Sequence, residues 1–124
     1  MTQAVATTAT DAISDVELVE RIVRRDARAF EVLMRRHNRL LYRTARSLLR
    51  DDHEAEDCVQ DAYLQAYRSM QSFRAQSRLS TWLVRIVINK ALERLRKHKR
   101  EDGNVALDNV VDLERHMDQL LIAL

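Results

Sequence analysis

One glycine and no proline among 124 residues constrain this chain more than any other feature of its sequence. Tight β-turns draw on Gly, Asn, Asp and Pro to reach their unusual φ values, and an average protein holds about 7% Gly and 5% Pro. This shortage sets the chain against an all-β or doubly wound fold and in favour of an all-α one. Its 46% hydrophobic and 32% charged residues suit a soluble helical domain with one small core. No stretch approaches the roughly 18 apolar residues of a membrane span. The N-terminus lacks the basic-then-apolar order of a secretory signal, so no membrane insertion is expected. Cys58 is the single cysteine and has no internal disulfide partner, which fits a reducing cytoplasm.

The net charge of +2 conceals a segregation. Residues 1–20 carry four acids and no Lys or Arg. Residues 21–50 carry ten Arg against Asp26 and Glu31, and residues 51–67 carry six acids and no base. Residues 68–100 carry ten bases against Glu93, and residues 101–124 six acids against Arg115. Blocks of alternating sign on this scale exceed what solubility requires. They indicate two surfaces with different tasks, one for a polyanion and one for a basic partner.

Residues 1–13 are small and polar without helical period, the composition of a disordered tail. Ser14 and Glu17 have capping-box spacing and open a first helix to about Arg25, striped by Leu18, Val19, Ile22 and Val23. Asp26 is a suitable N-cap for a second helix over about 27–50. There Phe30, Leu33, Met34, His37, Leu41, Ala45 and Leu48 recur at helical steps, and Arg35, Arg39, Arg43, Arg46 and Arg50 take the opposite face. Asp51 or Asp52 begins a third helix to about Gln71, with Ala55, Cys58, Val59, Ala62, Ala66 and Tyr67 as its core stripe. Glu54, Asp57 and Asp61 form an acidic stripe near its N-terminus, where the helix dipole favours each acid by about 0.3–1 kcal/mol.

Residues 72–80 break the period and read as a loop. Ser80 is placed to cap a fourth helix over about 81–99. Trp82, Leu83, Ile86, Val87, Ala91 and Leu95 face one way and Val84, Ile88 and Leu92 another, so its first half is expected to be buried on two sides. That leaves Thr81, Arg85 and Asn89 as a polar ridge, before a basic second half of Lys90, Arg94, Arg96, Lys97, Lys99 and Arg100. The helical domain is expected over 14–100. Past Gly103, Leu113, Met117, Leu120, Leu121 and Leu124 repeat at helical spacing, an amphipathic helix that needs a surface to pack on.

No enzyme constellation is present. There is no Gly-rich phosphate loop. His37, His53, His98 and His116 stand at no metal-ligand spacing with one another or with a cysteine, so neither metal nor cofactor is expected. Cys58 falls in an apolar stripe, the place of an inert thiol. The chemistry concentrates between Phe73 and Arg100. There an exposed aromatic, hydroxyls, arginines and a tryptophan precede a basic helix end, the combination that stacks on unpaired bases, reads their edges and tracks phosphates. Trp82 taken alone reads better as core.

The run AEDCVQDAYLQAY, followed by FRAQSRLSTWLVRIVINKALERLRKHKR, resembles region 2 of bacterial RNA polymerase sigma factors, most closely the extracytoplasmic-function (ECF) group. The upstream piece DVELVERIVRRDARAFEVLMRRHNRLLYRTARSLL is similar to the opening helices of the same group. The resemblance spans about residues 15–100. It rests on Glu56-Asp57-x-Val59-Gln60-Asp61, Phe73-Arg74 and Thr81-Trp82-Leu83-x-Arg85-Ile86-x-x-Asn89.

The resemblance implies a binding module, not an enzyme. It implies docking of the third helix on the clamp helices of the polymerase β′ subunit through Glu54, Glu56, Asp57, Gln60, Asp61 and Leu64. It implies capture of a flipped non-template base of the promoter −10 element by Phe73, Arg74, Ala75, Gln76, Ser77 and Arg78. Trp82, Arg85 and Asn89 then lie at the upstream edge of the melted DNA, beside Thr81, with Lys90, Arg94 and Arg96 suited to phosphates. Two departures stand out. Ala75-Gln76 replaces the Gly-Asp or Gly-Glu that often follows the Phe-Arg pair. Residues 101–124 resemble a linker and the start of region 4, cut before its DNA-reading helix. An anti-sigma factor is a further implied partner. A helical protein that keeps this scaffold but acts only through protein partners is the competing reading, and a general RNA-binding bundle a third.

Overall fold

The computed structural model describes residues 12–74 and 77–102. Four α-helices fill them: α1 (Asp15–Val23), α2 (Ala27–Leu49), α3 (Asp52–Ser69) and α4 (Leu79–Asp102), with a 3₁₀ turn at Met70–Ser72. The described residues contain no β-strand, and the all-α expectation holds. The expectations for residues 1–11, for Ala75 and Gln76, and for the linker and amphipathic stripe over 103–124 lie outside the described residues.

Each of the first three helices starts where a side-chain acceptor precedes it. Ser14 Oγ accepts from the Glu17 N–H at 3.2 Å. Asp26 Oδ1 accepts from the N–H groups of Arg28 and Ala29 at 3.0 and 3.3 Å, and Asp51 Oδ1 from His53 at 2.9 Å. These caps satisfy N–H groups that have no intrahelical partner. The Glu17 carboxylate turns forward and accepts from Arg21 at 2.9 Å.

The two short corners are turned without glycine. Arg25 (φ 68°) and Arg50 (φ 59°) take the left-handed conformation, at a cost of roughly 1–2 kcal/mol for a residue with a Cβ. At the first corner the Arg25 guanidinium lies 4.7 Å over the Tyr67 ring, a cation–π contact that offsets about 0.5–1 kcal/mol. Tyr67 in turn meets Phe30 edge-on at 5.2 Å, so the corner is tied to the far end of α3.

The core is single and drawn from every helix: Leu18 and Ile22 of α1, Leu33 and Leu41 of α2, Cys58 of α3, and Leu79, Leu83, Val84 and Val87 of α4 are fully buried. α2 packs on α1, α3 and α4, and α3 on α4. Burial of Leu83, Val84, Ile86, Val87 and Ile88 together confirms that the first half of α4 is covered on two sides.

The boundaries differ from the sequence expectation in three places. α1 stops at Val23 because the left-handed Arg25 ends it. α3 gives way to the 3₁₀ turn after Ser69. α4 begins at Leu79, so Ser80 lies inside its first turn and is not the cap. Leu79 is 2% exposed, and its burial anchors the helix start ahead of the hydroxyls.

Candidate nucleic-acid interface

The segment between the 3₁₀ turn and α4 is held at both ends. Phe73 is half-buried against the core and meets Trp82 edge-on at 5.5 Å. It is therefore half-buried, where the sequence led to an exposed aromatic, and still lines the cleft described next. The Trp82 N–H donates to Arg78 O at 3.1 Å, and the Ser77 N–H to Arg74 O at 3.2 Å. Arg74, Ser77 and Arg78 are exposed; Ala75 and Gln76 lie outside the described residues.

Beside this segment opens a cleft of about 340 Å³ lined by Asp15, Val16, Phe73, Ser77, Arg78, Leu79 and Ser80. The first two residues, at the start of α1, were not singled out by the sequence. A signal existed for Val16, an apolar residue off the α1 stripe and 47% exposed. Asp15 is fixed by Arg36 Nη1, which donates to it at 2.9 Å.

α4 divides the candidate DNA residues into two sets. At about 100° per residue, Thr81, Arg85, Asn89 and Arg96 share a sector of roughly 80°, with Arg85, Asn89 and Arg96 exposed. Lys90 and Arg94 lie on another side, above α3. Arg94 Nη2 donates to Asp61 Oδ2 at 2.8 Å, Lys90 sits 3.7 Å from Glu93, and His98 Nε2 bonds Glu54. Between them runs a polar cleft of about 330 Å³. Two pairs, Arg94–Asp61 and His98–Glu54, thus link the acidic and basic blocks of the sequence across the α3–α4 seam.

What remains of the acidic helix faces outward. Glu56, Asp57 and Gln60 are exposed and Leu64 is 55% exposed, all within a sector of roughly 100°. Asp61, grouped with them from the sequence, is exposed as well, and it and the half-buried Glu54 also pair across the seam.

Cys58 is fully buried, and burial pushes its thiol up to about 11, so it carries little thiolate near neutral pH. Among the described residues no cluster of three or more His, Cys, Asp or Glu could hold a metal ion, and no helix is long and apolar enough to cross a membrane.

The Sigma-70 region 2 family matches residues 33–101. The ECF RNA polymerase sigma factor SigM of Mycobacterium tuberculosis is 48% identical over 86 residues, 69% of this chain and 44% of the relative. The RNA polymerase sigma-H factor of Pseudomonas aeruginosa is 36% identical over 97 residues, 77% of this chain and 50% of the relative. The ECF RNA polymerase sigma-E factor of Haemophilus influenzae is 38% identical over 93 residues, 74% of this chain and 48% of the relative. The chain spans about half the length of the curated relatives it matches, and no solved structure matches it. By these matches the chain belongs to the Sigma-70 region 2 family, in the form carried by ECF sigma factors.

Proposed function

We propose that this chain is the part of an ECF sigma factor that docks on core RNA polymerase and recognises the promoter −10 element as a melted non-template strand, directing transcription initiation. The observation that carries the reading is the anchored loop. Phe73 and Trp82 fix its two ends, Arg74, Ser77 and Arg78 are exposed, and it opens on a cleft one residue short of the Thr81–Arg85–Asn89 ridge.

Anchoring matters energetically. A loop fixed by its neighbours loses little freedom when it binds. Opening DNA costs roughly 1.4 kcal/mol of stacking per base-pair step, which selective binding of the open strand offsets. In this reading the cleft beside Phe73 receives one flipped base, with Arg74, Ser77 and Arg78 at its edge. Asn89 has paired donor and acceptor groups for a base edge, and Arg85 and Arg96 follow the phosphates.

The opposite partner surface is the outer face of α3. Leu64 supplies an apolar anchor within a rim of Glu56, Asp57 and Gln60, the composition of a docking patch. Its acids suit a basic surface, here assigned to the β′ clamp helices. Glu54 and Asp61 act from behind by holding α4.

The test is selection of a randomised pool of single-stranded DNA on the chain, followed by sequencing. A single enriched motif is expected, with Asn89→Ala flattening one position of it by about tenfold or more. No enrichment with the wild-type chain would leave a scaffold that acts through protein partners only.

A further inference from the structure

The arginine face of α2 takes part in neither surface above. Arg35, Arg39, Arg43 and Arg46 fall within a sector of roughly 80° and rise over about 16 Å at 1.5 Å per residue. Arg50 continues the row at the C-cap. Arg46 is held by Asp52 at 2.7 Å. Arg39, Arg43 and Arg50 are exposed, and among the described residues no ion pair engages them. The other side of α2 packs on α3 and α4, so this row looks outward.

Its chemistry narrows the partner. α2 holds no lysine, and apart from the buried His37 its bases are all arginine, whose planar, weakly hydrated fork matches phosphate or carboxylate bidentately, as lysine does not. An acidic protein partner would normally bring apolar anchors to the centre of its interface. The exposed large hydrophobics among the described residues are Val16 and Leu64, on α1 and α3, and none lies on the arginine face. A single strand would need aromatic faces for its bases. The aromatic beside the row is Tyr42, half-buried and with its hydroxyl donating to Asp52 at 3.1 Å. A straight, evenly spaced row of guanidinium groups on a rigid helix suits the repeating phosphates of a duplex.

We infer that Arg39, Arg43 and Arg50 form a second nucleic-acid surface that grips the backbone of duplex DNA without reading its sequence. It is separate from the loop and ridge and goes beyond the −10 reading. It would hold duplex beside the melted segment while the loop reads the open strand.

The experiment is fluorescence anisotropy of the full chain with a random-sequence DNA duplex across a salt series. The Arg39→Gln/Arg43→Gln variant is expected to lose about 2 from the slope of log affinity against log salt, at roughly 0.9 per phosphate contact. It should bind about tenfold more weakly at the lowest salt. Arg39→Lys/Arg43→Lys, which keeps the charge, should keep the slope. Each variant is checked by its melting midpoint; if the Gln pair fails to fold, Arg43→Gln alone is read for a slope change of about 1.

An unchanged slope in the Gln variants, or no duplex binding by the wild-type chain, overturns the inference. So does displacement of the duplex by poly-glutamate as readily as by unlabelled duplex at matched charge, which would assign the face to an acidic protein. Motif enrichment from the single-stranded pool must survive in the Gln variants. Its loss in the wild-type chain would count against the −10 reading and not against the arginine face.

Discussion

Arg94 donates to Asp61 at 2.8 Å across the seam between α3 and α4, joining a base from the helix assigned to DNA to an acid from the helix assigned to polymerase. Their side chains are 27% and 49% exposed, and ion pairs in such positions contribute about 0–1 kcal/mol. The pair holds one cation out of service while the chain is free. Asp61→Asn should therefore cost less than about 1 kcal/mol in urea unfolding. It should also tighten binding of single-stranded DNA about two- to threefold at low salt, where charge effects are least screened. Unchanged or weaker binding would mean that Arg94 only braces the seam.

The left-handed Arg50 gives an opposite coupling between stability and binding. Its φ of 59° suits glycine, the usual residue just past a helix end. Arg50→Gly should raise unfolding stability by about 1 kcal/mol. The same change removes a guanidinium from the arginine face, so duplex binding should weaken. A loss of stability would show that the corner carries no strain.

His37 makes the fold sensitive to acid. It is 7% exposed, its Nε2 has no hydrogen-bond partner among the described residues, and Asp15 Oδ1 is 3.5 Å away. Burial holds its pKa below the ordinary 6.5, against the pull of Asp15 and with a smaller push from Arg36. The unfolded chain therefore takes up the proton first as pH falls. Stability is complete above about 6.5 and is lost as pH drops through the lower, folded value. Urea midpoints measured from neutral to mildly acidic pH should fall for the wild-type chain, with a shallower fall for His37→Gln. Parallel curves would place the acid sensitivity elsewhere.

Much of the fold was legible because it rests on local pattern. The scarcity of Gly and Pro, the caps at Ser14, Asp26 and Asp51, and the two-sided apolar run from Leu83 to Leu92 each act within a few residues. The corners were less legible, since nothing in the sequence marks Arg25 or Arg50 as a residue that will accept positive φ; neighbouring helices impose it. The site was legible in composition and less so in orientation. Lys90 and Arg94 sit close to Asn89 in sequence, yet the 100° step of the helix carries them to the α3 seam. Asp61 and Glu54 stay within roughly 60° of Asp57 on α3, but their pairing with Arg94 and His98 ties them to the seam. Composition alone does not show Phe73 half-buried, because its partner Trp82 is nine residues away across a turn. Asp15 and Val16 reach the loop cleft only through the packing of α1.

The most direct measurement of the central claim is recruitment of a fluorescent single-stranded oligonucleotide, bearing the motif enriched from the randomised pool, to core RNA polymerase. Anisotropy is followed as this chain is added. Recruitment should require the chain and should be lost for a scrambled oligonucleotide. Asn89→Ala should weaken it by about tenfold, and Asp57→Lys should raise the concentration of chain needed without changing the preferred sequence. Equal recruitment of motif and scrambled strands, or recruitment indifferent to both substitutions, would contradict the assignment of the loop and ridge to the −10 strand and of the outer face of α3 to polymerase.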